Sequence, residues 1–272
     1  MKVLVTGGHG FIGQHVMAVL AREGIEAVSF DLSHGQDVRS PGQVHLATEG
    51  CSHVIHLAGM LGTSELFATA HSAVDVNVHG TLNVLQACAA TGAAYTGITM
   101  PRVWSNVYQA TKQCAQALAS AWHQHEGVPV SHVRAFNAYG VGQKLYPVQK
   151  IIPTFSHRAW CGEPIPIWGD GTQQVDLVWA GDIAEMLLRA TSYGDDQVFD
   201  GGTGTGLTVN EVARHVCDRT GSKAGVQYLP MRKGEHEAKV VASGEGWNLM
   251  GFTPHGVNWV RLDEAVDSYR EH

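Results

Sequence analysis

Short apolar runs alternate with stretches of helical periodicity through the first half of the chain. Lys2-Val-Leu-Val-Thr6, Glu26-Ala-Val-Ser-Phe30, His53-Val-Ile-His-Leu57, Tyr95 to Thr99 and Val130 to Arg134 read as strands. Between them lie three helical patterns. One starts near Phe11 and runs through Val16 and Leu20 to Arg22. A second spans Asp75 to Ala90, with Val78, Leu82 and Leu85 at helical spacing, and a third is the alanine-rich run from Tyr108 to His125. Apolar strands separated by helices predict a parallel sheet with crossover helices. From Pro147 onward the texture changes, as Pro153, Gly162, Pro164, Pro166, Gly169 and Gly171 break the chain into short strands and loops. A further strand is expected at Val198-Phe-Asp200, and a helix from Thr208 to Thr220 that Thr208 and Glu211 open with a capping box. The pattern predicts an α/β fold, a Rossmann-type doubly wound parallel sheet with a smaller C-terminal α/β lobe. Residues 1–140 and about 176–202 would form the sheet domain, and 141–175 with 203–272 the lobe.

The first strand runs directly into Gly7-Gly8-His9-Gly10-Phe11-Ile12-Gly13, which opens the first helix. Glycines in such a strand–turn–helix unit allow a tight turn and close backbone approach, and the helix N-terminus faces a pyrophosphate. Asp31 closes the second strand, about 20 residues further on, where a carboxylate takes the adenosine ribose hydroxyls and repels a 2′-phosphate. The turn therefore implies a dinucleotide, and Asp31 implies NAD over NADP.

Tyr108 and Lys112 stand four residues apart on the third helix, so they share a face. A nearby ammonium favours the phenolate and is expected to lower the tyrosine from about 10 towards neutrality. Such a tyrosine can exchange a proton with a substrate hydroxyl while a nicotinamide exchanges a hydride.

Composition narrows the picture. The 272 residues are 44% hydrophobic and 16% charged, with a formal net charge of −7 and no block of like charges. Nucleic acid and membrane are therefore not expected partners, while an anionic small ligand remains compatible with local cations and helix N-termini. No apolar run approaches the roughly 20 residues of a membrane span, and Met1-Lys2 leads straight into the first strand without a signal segment; a cytoplasmic location is expected. Cys51, Cys88, Cys114, Cys161 and Cys217 are scattered and read as ordinary buried thiols. Among the 16 histidines, the pairs His53/His56 and His123/His125 lack the i, i+4 spacing with a neighbouring Glu of a zinc hydrolase, and no metal site is expected.

Taken in order, these segments resemble the extended short-chain dehydrogenase/reductase family, the NAD-dependent nucleotide-sugar epimerases and dehydratases. The matching pieces are Thr6 to Gly13, Val54-Ile-His-Leu-Ala-Gly59, Asp75 to Leu85, Tyr108-x-x-x-Lys112, Arg134-Ala-Phe-Asn-Ala-Tyr-Gly140, Gly162-Glu-Pro-Ile165, Gly169-Asp-Gly-Thr-Gln173, Asp182, Gly201-Gly-Thr-Gly204 and Arg232-Lys-Gly-Glu235. The resemblance implies that Gly7, Gly10, Phe11, Ile12 and Gly13 cradle the pyrophosphate of NAD and that Asp31 holds its ribose. Asp37 and Val38 would flank the adenine, and Leu57, Ala58 and Gly59 would line the cofactor cleft. Tyr108 would be the acid/base, with Lys112 also on the nicotinamide ribose. Asn137 and Arg232 would meet the diphosphate of a UDP-, GDP- or dTDP-linked sugar. It also implies a homodimer through the helices at Gly80–Ala90 and Tyr108–His125, where Ala110, Ala115, Ala117, Ala119 and Ala121 permit close approach.

Three departures shape the expected reaction. The stretch between the active-site strand and the tyrosine is short, leaving Thr99, with Ser105 second, to hydrogen-bond the reacting oxygen. Val175 stands where the family often carries an arginine on the substrate phosphate, and Ser243 replaces an acidic residue. Within the first of these, Met100-Pro101 follow Thr99 where dehydratases carry an Asp-Glu pair, so a reaction needing hydride exchange and one proton is expected. C4 epimerisation through a 4-keto intermediate comes first. The alternatives are a sugar 4-ketoreductase or dehydrogenase, then a dehydratase, and, in another class, a non-catalytic NAD sensor.

Overall fold

The computed structural model describes residues 1–236, 238–243, 245–254 and 256–271. In chain order the first half contains β1 (Lys2–Thr6), α1 (Phe11–Arg22), β2 (Glu26–Phe30), α2 (Pro41–Thr48), β3 (His53–His56), α3 (Ala70–Val74), α4 (Gly80–Thr91), β4 (Ala94–Thr99), α5 (Val107–Glu126) and β5 (Val130–Ala135). The second half adds β6 (Asn137–Tyr139), α6 (Ile151–Trp160), β7 (Ile165–Trp168), β8 (Gln174–Val175), β9 (Leu177–Trp179), α7 (Ala180–Ala190), β10 (Asp195–Gly201), β11 (Leu207–Thr208), α8 (Val209–Thr220), β12 (Val226–Leu229), β13 (Lys239–Val240), α9 (Glu245–Leu249) and α10 (Trp259–Asp267).

The central sheet has six parallel strands in the order β10-β5-β4-β3-β1-β2. Both faces of the sheet are covered, and apolar residues of its inner strands are buried on each. Val3 and Val5 face one side, with Val16 and Leu20 of α1 and Ile183 and Leu187 of α7. Leu4 and Val54 face the other, with Val84 and Leu85 of α4 and Ala119 of α5. A separate cluster around Tyr139, Phe155, Ile167, Val212 and Leu262 joins α6, α8 and α10 to the short strands of the second half.

After β2 the chain crosses back over β1 to build β3, so the strand order reverses between β1 and β3. Ligands of open α/β sheets bind in the crevice outside the carboxyl ends of the strands at such a switch point. Thr6, Phe30, His56 and Thr99 end the four strands around that crevice. The helix expected from Asp75 is longer in the structure, and it is interrupted: α3 and α4 are joined by a π-helical turn over Asp75–His79. Among the described residues, no helix is long and apolar enough to cross a membrane. Two of the five cysteines, Cys114 and Cys161, are exposed and not buried as expected. Cys114 lies on the outward face of α5, and Cys161 follows α6.

Candidate functional site

The turn out of β1 is packed on three sides. Gly7 takes φ +71°, and its N–H donates to Phe30 O (2.8 Å), while the Gly10 N–H returns to Gly7 O (2.9 Å). A methyl group on Gly7 would lie 2.8 Å from Ala58 N, and one on Gly13 only 2.1 Å from Gly7 O. Both positions therefore require glycine, one for its φ and both for backbone approach. Gly10 caps α1 in an extended conformation and offers no side chain, so the N–H groups of the first turn stay open to an anion.

Asp31 follows β2 beside this turn. Its carboxylate accepts from His9 N–H (3.0 Å), Ser33 N–H (2.9 Å) and the Ser33 hydroxyl (2.8 Å). Burial raises its pKa, but these donors outweigh burial and hold the carboxyl below its usual range. Asp37 is gripped by Arg39, whose guanidinium keeps it ionised, and the Val38 side chain is buried against α4, where a methyl on Gly80 would approach it to 2.8 Å.

A buried hydrogen-bond chain connects the glycine turn to α5. The Thr6 hydroxyl accepts from the Leu57 and Ala58 N–H groups (3.2 and 3.3 Å), so its own proton goes to His56 Nδ1 (2.7 Å). That leaves the His56 Nε2–H to donate to the Thr81 hydroxyl (3.1 Å), which donates to Asn77 O (2.7 Å). Burial depresses the imidazole to about 3, so His56 is neutral, as this directional chain requires. Asn77 sits on the π-helical turn, and its amide donates to Met60 O and to the Thr111 hydroxyl (both 3.0 Å). π-Turns inside helices recur at functional sites. Here the turn carries the residue that ties the Gly59 loop to the face of α5.

Tyr108 and Lys112 project from the first two turns of α5, whose N-cap Asn106 accepts from the Gln109 N–H (2.9 Å). Lys112 is 8% exposed and has no hydrogen-bond or ion-pair partner among the described residues. Burial pulls its ammonium down to about 8 and pushes the half-buried Tyr108 phenol up to about 12. The sequence expectation of a phenol lowered towards neutrality is thus reversed. Desolvation of a group near the cleft floor disfavours its charged form.

Thr99 ends β4 with its hydroxyl donating to Gln116 Oε1 (3.2 Å), one turn beyond Lys112 on α5. Ser105 is exposed and without a hydrogen-bond partner among the described residues. The short loop that carries it is pinned instead by Gln109, whose Oε1 accepts from the Val103 and Trp104 N–H groups (2.8 and 2.6 Å). Asn106 and the Trp104 indole then donate to Gly234 O and His236 O, tying this loop to the lobe.

On the lobe side, Asn137 begins β6 and is half-buried. Val175 lies in β8 next to Asp176, which is fully buried and accepts from the Thr203, Gly204 and Ala242 N–H groups. Arg232 is held by Glu235, and its guanidinium lies over the Trp168 ring at 4.8 Å. A cavity of about 240 Å³ beside it is lined by Tyr146, Gln149, Arg158 and Trp168. Ser243 donates to Asp200 (3.2 Å), the carboxylate that pairs with Arg134 (2.7 Å).

The profile of the NAD dependent epimerase/dehydratase family matches residues 3–99 and 98–199. The chain belongs to that family. Its cofactor is NAD. The chain is 27% identical to the UDP-glucose 4-epimerase of Rhizobium leguminosarum bv. trifolii over 93% of its own length and 92% of the relative's. It is 26% identical to a trifunctional UDP-glucose 4,6-dehydratase/UDP-4-keto-6-deoxy-D-glucose 3,5-epimerase/UDP-4-keto-L-rhamnose-reductase of Arabidopsis thaliana, aligning over 85% of this chain but spanning 41% of that enzyme. The structure of Thermus thermophilus UDP-glucose 4-epimerase in complex with NAD superposes with a TM-score of 0.87 at 26% identity, covering 100% of this chain and 99% of the other.

Several residues of the epimerase/dehydratase chain that shape the cleft were not singled out by sequence. Asn77, Thr81, Thr111 and Gln116 are ordinary polar positions on amphipathic helices, and Gln109 and Glu65 are ordinary surface types. Asn77 and Thr81 fall within the Asp75 to Leu85 segment but carry no role there by spacing, because their partners lie on other elements.

Proposed function

We propose that the chain is an NAD-dependent nucleotide-sugar epimerase, acting at C4 through a transient 4-keto sugar, with Tyr108 as acid/base. The observation that carries this reading is the pair on α5. A phenol and a buried, partnerless ammonium stand one turn apart beside the switch-point crevice.

The residues present fit NAD. The open amides at the start of α1, with the glycine backbone of Gly7, Gly10 and Gly13, suit a pyrophosphate, and Phe11 and Ile12 lie in the same first turn. Asp31, ionised by its own donors, suits a ribose diol and repels a 2′-phosphate. Leu57, Ala58 and Gly59 border the turn, and Asp37 and Val38 lie on the adenine side of the crevice. Lys112 lacks a partner that ribose hydroxyls would provide. When bound, NAD supplies the hydride acceptor and, in its oxidised form, a positive charge. Tyr108 would take the proton from the substrate hydroxyl and later return it, the positive charges of Lys112 and of the bound cofactor offsetting the burial that raises its phenol. Residues 1–140 with 176–202 hold the cofactor, and 141–175 with 203–272 shape the sugar site.

Arg232 and Asn137 face the diphosphate in this reading, with Arg232 Nη1 paired, among the described residues, only with Glu65, at 3.6 Å. Met100-Pro101 supply no carboxylate after Thr99, which favours epimerisation over dehydration. A homodimer through α4 and α5 belongs to the same proposal. Ala110, Cys114 and Ala117 are exposed on α5, whereas Ala115 and Ala119 are spent inside the core.

The test is a panel of UDP-, GDP- and dTDP-sugars incubated with the purified protein and read by NMR. Formation of a C4 epimer without net NADH is expected. Net oxidation or reduction with consumption of free cofactor would replace the epimerase by a dehydrogenase or ketoreductase, and no turnover at all by a non-catalytic NAD protein.

A further inference from the structure

Arg232 is not free to receive an anion as it stands. Its Nε donates to Glu235 Oε2 (3.1 Å), and its Nη2 pairs with Glu235 Oε1 and donates to the Thr63 hydroxyl (3.1 Å), which itself donates to Glu235 (2.6 Å). The remaining nitrogen, Nη1, is buried and makes no hydrogen bond among the described residues; its nearest anion is Glu65 Oε1, at 3.6 Å. Glu65 comes from the loop after β3, on the opposite side of the cleft. That same Oε1 accepts from the Gln149 N–H (3.4 Å), one residue ahead of the α6 N-cap Lys150, while Oε2 is held by the Thr63 N–H (3.0 Å). Burial lowers the Lys150 ammonium, and Glu65 opposes that shift, so the two groups sense each other.

One carboxylate oxygen therefore lies near a guanidinium and a backbone N–H of the segment leading into α6, with the Lys150 ammonium in electrostatic reach. This is the donor set that a phosphate oxygen takes. We infer that Glu65 is a built-in competitor for the anionic group of the substrate, occupying its place until the ligand displaces it. This rests on the nucleotide-sugar reading above. Glu65 and Glu235 already balance Arg232, and Val175 adds no cation beside it. A diphosphate entering with Glu65 in place meets an Arg232 that is already neutralised, whereas a departing Glu65 releases both Nη1 and the Gln149 N–H. Glu65 is thereby a specificity-determining residue: it sets how strongly a ligand's charge must compete, and it weakens binding of diphosphates that bring no further contacts.

The experiment is calorimetric titration of the NAD-saturated full chain with UDP and, separately, with inorganic pyrophosphate, for wild type and Glu65→Gln. Glu65→Gln is expected to bind both at least about tenfold more tightly, the scale on which removal of a close like charge acts, with NAD affinity unchanged. Equal or weaker affinity for both overturns the inference. Tighter pyrophosphate binding with no advantage of UDP over pyrophosphate supports the role of Glu65 and sinks the nucleotide reading. Wild type that binds UDP well and a variant that binds it no better does the reverse. Should Glu65→Gln fail to fold, Glu65→Asp, which keeps the charge but shortens the reach, is expected to shift affinity in the same direction, and no shift there overturns the inference.

Discussion

The Thr99 hydroxyl donates to Gln116 Oε1 at 3.2 Å, joining the end of β4 to the helix face that carries Tyr108 and Lys112. We propose that Thr99 serves mainly to clasp strand to helix through this bond. Replacing Thr99 by Val is expected to lower kcat by no more than about tenfold, whereas Tyr108→Phe is expected to cost at least about a hundredfold, the lower range for lost acid–base catalysis. Steady-state rates on the preferred nucleotide sugar check this. A Thr99→Val loss as large as that of Tyr108→Phe would assign the reacting-oxygen contact to Thr99.

Lys112 makes stability depend on pH in a definite direction. Its folded pKa, about 8, lies below the ordinary lysine value of 10.5 because burial disfavours the charge. Between these values the unfolded chain binds more protons than the folded one, so stability rises with pH there. The cost of burying the charged form is fully present below pH 8 and fades above it. Relative to Lys112→Met, the wild-type NAD-free protein should gain about 2 kcal/mol from pH 8 to pH 10. Urea unfolding of both proteins at the two pH values measures this, and parallel behaviour would show that Lys112 keeps an ordinary proton affinity.

Much of this arrangement was legible in the sequence, for physical reasons that differ by element. Strands covered on both faces carry runs of buried apolar residues, so β1 declares itself, and β3 and β5 do through Val54-Ile55, Val130 and Val133. The capping box at Thr208 and Glu211 is local chemistry and forms as expected. Tyr108 and Lys112 share a face because helical spacing alone decides it. The reversed pKa of Tyr108 was not legible, since it depends on how deep the cleft floor lies and not on the distance to Lys112 along the chain. Nor was the clasp of Thr99, whose partner sits on another element, nor the approach of Glu65 to Arg232 across the cleft. The π-helical turn that aims Asn77 inward leaves no mark in a periodicity that reads Asp75 to Ala90 as one helix.

Gly13 tests the packing of the cofactor turn. Its missing Cβ would fall 2.1 Å from Gly7 O, and a backbone atom cannot swing aside as a flexible side chain can. Gly13→Ala should therefore destabilise the fold by about 1–3 kcal/mol, the usual cost of overpacking, and weaken NAD binding more than it weakens binding of UDP. Thermal unfolding with and without each ligand separates the two effects. Unchanged NAD affinity would mean that the turn does not approach the pyrophosphate.

The central claim is that one hydride leaves the sugar and returns to the same molecule. The direct measurement uses a nucleotide sugar carrying deuterium at C4, incubated with the NAD-loaded protein and analysed by mass spectrometry and NMR. The proposed epimerase should give the C4 epimer with its deuterium retained and no net NADH or NADD in solution. Product that has lost its deuterium to the free cofactor pool, or oxidised sugar without epimer, would contradict the account.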